Sequence, residues 1–144
     1  MFSAHPEARP LLVTLPFLVQ TYDIDYAGHV NNCVYVRWLE DLRMAMMRAW
    51  YPPEKMIEDE TVFILHSTHI TYKKSIMITD APEGQMWCSK LGRATMSVHA
   101  EFMVDGNRCA HATQRGILLR HGSTKAVRLP QNIIDVFQKQ NVPA

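Results

Sequence analysis

An excess of charge of either sign is missing from this 144-residue chain: fifteen Lys and Arg face fourteen Asp and Glu, a formal net charge of +1. No global field therefore gathers nucleic acid or an anionic bilayer, and neither partner is expected. Cysteine is scarce, with Cys33, Cys88 and Cys109 odd in number and far apart. That excludes a paired disulfide framework, and without a CxxC pair or a Cys/His ladder no metal site is expected. No apolar run approaches the ~18 residues that span a bilayer. The opening MFSAHPEARP lacks a positive stretch followed by an apolar one, so no signal peptide is expected and the reading is cytoplasmic.

What is present suits one domain. Its length is that of a single unit, and 47% hydrophobic residues can furnish one core. Residues 1–10, with Pro6 and Pro10 and no period, read as a mobile arm. Leu11 to Tyr22 is rich in β-formers, and Pro16 confines that strand to an edge or a bulge.

From about Asn32 to Trp50 the period is helical. Tyr35, Trp38, Leu39, Leu42, Ala45, Met46 and Ala49 recur at three- and four-residue steps, with Arg37, Asp41 and Arg48 opposite. Asn31 or Asn32 can cap the start, and Pro52-Pro53 stops the helix. The period then changes to two. Thr61 to Tyr72 is β-branched and aromatic. Arg93, Thr95, Ser97, His99 and Glu101 alternate with Ala94, Met96, Val98, Ala100, Phe102 and Val104. Asp105-Gly106-Asn107 supplies a hairpin turn into a strand from Arg108 to Arg120, and Gln131 to Gln140 reads as a short closing helix. One long striped helix and one antiparallel sheet give the α+β class, the helix wrapped by a curved sheet.

The chemistry concentrates in Thr21 to Glu40, TYDIDYAGHVNNCVYVRWLE. Two acids, a Gly-His pair and two asparagines sit in a loop that feeds a helix N-terminus. The first helical N–H groups are unpaired and partly positive, so they can hold a developing oxyanion. A carboxylate a few residues upstream can serve the same point as nucleophile or as general base towards water. Cleavage of a thioester needs little more than these parts.

Asp25-x-x-Gly28-His29-Val30-Asn31-Asn32-x-x-Tyr35, followed by Glu40 and Arg43, resembles the signature of the hotdog thioesterases, nearest the 4-hydroxybenzoyl-CoA thioesterase-like group. Tyr72-Lys73-Lys74, Leu91-Gly92-Arg93 and Val127-Arg128-Leu129-Pro130 extend the likeness, which covers about residues 12 to 135 of the chain. The resemblance implies the hotdog fold and hydrolysis of an acyl-CoA. Asp25 would be the catalytic carboxylate, Asp23 the non-catalytic acid, and the backbone N–H near Asn32 the oxyanion donor. One branch carries a histidine where this chain has Asn32, which weakens a mechanism requiring a histidine at the helix start and leaves the asparagine amide to orient the carboxylate or the water. The resemblance also implies a homodimer or homotetramer with its active site between subunits. Coenzyme A would be part of the substrate, and no cofactor is expected.

Among the remaining residues, His29 reads as a positioning group and Asn31 as cap and support for the oxyanion amides. Lys73, Lys74 and Arg93, with Arg115 and Arg120, are candidates for the phosphates of coenzyme A. Met44 and Met47, off the main stripe, are expected to meet a partner subunit or the acyl chain. His66 and His69 lie three apart on a strand, so they face opposite sides and cannot share a metal unless a bulge intervenes. Rival readings are an acyl group on acyl carrier protein, a non-catalytic acyl-CoA binder, and a hotdog dehydratase, whose His-plus-acid pattern is not in register here.

Overall fold

The computed structural model describes residues 1–143. Its long helix, α1 (Asn32–Trp50), buries Val34, Tyr35, Trp38, Leu39, Leu42 and Met46, the stripe that the three- and four-residue spacing predicts. Asn31 is the N-cap, its side-chain Oδ1 accepting the Cys33 N–H at 3.0 Å. Pro52-Pro53 does more than stop the helix. Proline suits a first helical turn, and a short α2 (Pro53–Glu58) begins there.

Six strands form one antiparallel sheet. β3 (Thr61–Tyr72), β6 (Asn107–Arg120), β5 (Thr95–Val104) and β4 (Glu83–Leu91) lie side by side in that order, and β1 (Phe2–Ser3) and β2 (Val13–Pro16) both pair with β4. Along β5 the even-numbered side chains, from Met96 to Val104, are buried, which confirms the alternation. The β5–β6 hairpin turns on Asp105 (φ 50°) and Gly106 (φ 77°), the two left-handed residues that a tight two-residue turn requires. The sheet packs its inner face on α1, and α3 (Gln131–Gln140) adds Ile133, Ile134 and Phe137 to the same core. This is the hotdog arrangement, one long helix embedded in an antiparallel sheet. β3 ends the sheet, hydrogen-bonded to β6 on one side only.

Three features depart from the sequence expectation. The strand expected from Leu11 to Tyr22 is four residues long, and Thr21–Asp23 turns as a 3-10 helix. The N-terminal arm is docked: Phe2 and Ser3 pair with Leu91 and Lys90, and Leu11 is buried. The register of β3 slips between Leu65 and Ser67, so His66 is a bulge residue. That bulge breaks the strict alternation that would set His66 and His69 on opposite faces. Even so, no group of three His, Cys, Asp or Glu able to hold a metal ion occurs among the described residues. No described helix is long and apolar enough to cross a membrane.

Candidate active site

The loop between the 3-10 turn and α1 is closed by its own backbone. Asp25 N–H donates to the His29 carbonyl at 2.8 Å, and Gly28 N–H donates to the Asp25 carbonyl at 3.0 Å. Gly28 takes φ 83°, which a side chain would strain, so glycine is needed there. The Asp25 carboxylate joins in through one oxygen. Its Oδ1 accepts the N–H groups of Ala27 (2.9 Å) and His29 (3.2 Å), while Oδ2 has no hydrogen-bond partner among the described residues. The carboxylate thus shapes its turn with one oxygen and presents the other.

Asp23 has the opposite fate. It is 2% exposed and accepts the Gln20 N–H at 2.9 Å and the Arg37 guanidinium at 2.6 Å. The acid two residues before Asp25 is therefore fully engaged in structure.

Asp25, His29, Asn32, Tyr35, Tyr72, Lys73, Lys74 and Ser75 line one cleft of about 160 Å³. Asn32 opens α1, and its backbone N–H has no acceptor among the described residues. His29 is half-buried, with Nδ1 3.2 Å from the Ser75 hydroxyl. Tyr72, at the end of β3, donates its hydroxyl to the Asn32 carbonyl at 3.2 Å and so ties the strand to the first residue of the helix. Burial, and then the nearby Cys33 thiol, raise the Tyr72 pKa. Burial pushes Tyr35 up to about 12, with the Cys109 thiol and the Tyr72 hydroxyl adding to it. Both phenols therefore stay protonated at neutral pH, donors rather than bases.

The structure brings together Asp25, His29, Asn32, Lys73 and Lys74, with Asn31 holding the helix start beneath them. Arg93 lies apart, in a shallow cleft with Phe2, Arg128 and Gln131. Met47 lines a second, apolar cleft with Met46, Trp50, Phe63, Leu65 and Met96, and Arg43 in its wall donates to the buried Gln114 at 2.7 Å. The sequence alone does not mark Tyr72 and Ser75 as site residues. The aromatic end of a strand next to two lysines was the signal for Tyr72, whereas nothing marks Ser75.

The family model of the thioesterase-like superfamily matches residues 19–139. No protein of curated function matches the chain. Among solved structures, a Thermus thermophilus thioesterase complexed with coenzyme A and Zn is similar at 21% identity and TM-score 0.77, over 94% of this chain and 98% of that one. A Staphylococcus aureus DHNA-CoA thioesterase matches at 17% identity and TM-score 0.76, over 86% and 85%. A Staphylococcus aureus hypothetical protein in complex with CoA matches at 11% identity and TM-score 0.84, over 94% and 89%. At such identities these likenesses show the fold, and the family match shows the kinship. The chain belongs to the thioesterase-like superfamily, and it has the hotdog fold.

Proposed function

We propose that this protein hydrolyses an acyl-CoA to the free acid and coenzyme A at the Asp25 cleft. The observation that carries the reading is that Asp25 Oδ2 and the Asn32 N–H both lack partners among the described residues and belong to residues lining one cleft. As general base, Asp25 takes a proton from water while the oxygen bonds to the thioester carbon. The carbonyl oxygen, now negative, is held by the Asn32 N–H at the positive end of α1. Collapse breaks the C–S bond, and the proton on Asp25 passes to the leaving thiolate. As nucleophile, Asp25 instead attacks the thioester carbon, the C–S bond breaks as the thiolate leaves, and water opens the resulting acyl anhydride, its proton going to the thiolate. The two routes share every residue.

Lys73 and Lys74 flank the cleft and suit the phosphates of coenzyme A, and coenzyme A is the ligand held by two proteins of the same fold. The carrier in the rival reading, acyl carrier protein, presents a single phosphodiester and an acidic surface, which two lysines also suit. β3 supports a homodimer. It is a twelve-residue edge strand exposing Ile64 and Leu65, and an apolar unpaired edge is a template for a second copy of itself.

The test is thiol release from short, long and aromatic acyl-CoAs, beside Asp25→Asn. Turnover that falls by about 10³-fold or more in the variant, with the fold kept, is the expected result. A variant as fast as the parent removes Asp25 from the reaction, and a parent inert towards every member removes the acyl-CoA reading.

A further inference from the structure

Tyr35 was placed in the core stripe of α1 by its spacing, and its ring behaves accordingly. It stands edge-on to Trp38 (centroids 5.5 Å apart), Tyr72 (5.1 Å) and Phe102 (5.4 Å), held on three sides, and the residue is 2% exposed. The hydroxyl does not fit a packing role. It makes no hydrogen bond within the described chain, whereas the neighbouring Tyr72 hydroxyl is engaged with Asn32 and Tyr51 with Asp59 and Thr61. Yet no fully buried polar side-chain atom among the described residues lacks a partner, so this hydroxyl keeps contact with the outside. The opening that Tyr35 lines is the cleft of Asp25 and Asn32. If packing were its only task, Phe would fill the same cage and spare a desolvated hydroxyl its cost.

Direction agrees with this. A long side chain on a helix leans back towards the N-terminus, and Tyr35 is three residues after Asn32, so its tip is carried towards the helix start. Its ring stands edge-on to that of Tyr72, whose hydroxyl reaches the Asn32 carbonyl.

Resting on the thioesterase reading above, we infer that Tyr35 is a second oxyanion donor: its phenol hydrogen-bonds the thioester carbonyl oxygen alongside the Asn32 N–H. A neutral phenol held rigidly in a desolvated cage is a strong donor to developing negative charge and needs no rearrangement when the charge appears. No proton is transferred from Tyr35, and the residue returns unchanged when the thiol leaves.

Tyr35→Phe tests this, read with two non-hydrolysable probes. One is an acyl-CoA ketone, with methylene in place of sulfur and the carbonyl kept. The other is the thioether without the carbonyl. Because the hydroxyl has no partner to lose among the described residues, the variant should melt no lower than the parent. Its kcat should fall by about 10²-fold with KM nearly unchanged. Ketone affinity should weaken about tenfold and thioether affinity stay level. A kcat within threefold of the parent, equal losses for both probes, or a collapse in melting temperature overturns the inference. Parental kcat beside an inactive Asp25→Asn sinks the Tyr35 role alone. A parent that binds the ketone through Tyr35 but turns over nothing sinks the hydrolysis reading alone. A parent that binds neither probe and hydrolyses no thioester sinks both.

Discussion

Arg37 reaches back from the second turn of α1 to donate to Asp23 at 2.6 Å, pairing a 56% exposed cation with a 2% exposed carboxylate. Asp23 also holds the loop that carries Asp25 at both ends. Its carboxylate takes the Gln20 N–H, and its carbonyl takes the Asn31 N–H at 2.8 Å. Removing the exposed partner leaves a buried charge uncovered, which is more costly than losing a surface ion pair. Arg37→Ala should therefore destabilise the fold by about 3 kcal/mol in urea unfolding. A change within about 0.5 kcal/mol, the usual scatter of surface substitutions, would mean that the pair holds nothing.

Asn31 caps α1, and the amide that it leaves free is that of Asn32. Asn31→Ala should cost about 1 kcal/mol of stability, the common value of a lost cap. It should also lower kcat, since the unpaired amide is aimed by the cap beside it. Asn31→Ser, which can still cap, should restore both together. Stability rescued by serine with kcat left low would assign the Asn31 side chain a direct part in the reaction.

Much of this could be read from residue order. α1 was legible to the residue because Trp38, Leu39, Leu42 and Met46 bury one face of a helix bounded by Asn31 and Pro52. β3 was legible from its β-branched and aromatic content, and β5 from the strict alternation of apolar with polar residues. β4 was not. Its sequence, EGQMWCSKL, has no β-branched residue, and it becomes a strand because β5 on one side and β1 and β2 on the other complete its hydrogen bonds. Local propensity carries little where tertiary pairing decides. Asp25, His29 and the asparagines lie within eight residues, so their grouping was visible in the chain. Tyr72 and Ser75 reach the same cleft from forty or more residues away, and Arg93 is carried to another one, which only the sheet order determines.

The outer face of the sheet carries a stack that should respond to pH. Arg9 lies 4.0 Å over the Trp87 ring, Trp87 is 4.9 Å from His99, and His99 is 6.0 Å from His111. Burial lowers the His99 pKa; Glu101 opposes this, and His111, Arg108 and Arg9 add to it. His111 is lowered too, by burial first and then by Arg108 and Lys73. As pH falls through the ordinary imidazole range near ~6.5, the unfolded chain takes up these protons before the folded one does. Stability should thus be complete above that range and decline as pH drops towards the folded pKa values. Melting curves from pH 7.5 to 5.5 should show the decline, and His99→Gln should flatten it. Parallel curves for parent and variant would place the response elsewhere.

Lys73 and Lys74 are positioned by their backbones, both N–H groups donating to the Cys109 carbonyl at 2.8 and 2.9 Å, and neither is in an ion pair among the described residues. That holds the backbone of two lysines that line the Asp25 cleft, where phosphates of a bound coenzyme A would meet them in high dielectric. Exposed pairs of this kind contribute below about 1 kcal/mol each and are screened by salt. The double variant Lys73→Ala, Lys74→Ala should therefore raise KM for acyl-CoA by about fivefold at low ionic strength. The difference should shrink in high salt, and kcat should hold. Arg93→Ala, altering the separate cleft, should leave KM where it was. The decisive control is the same acyl group on N-acetylcysteamine, a thioester without phosphates. If the lysines act on phosphate, this substrate distinguishes the double variant from the parent no better than chance. If instead its KM rises as much as that of the acyl-CoA, the lysines support the cleft itself, and phosphate recognition lies elsewhere.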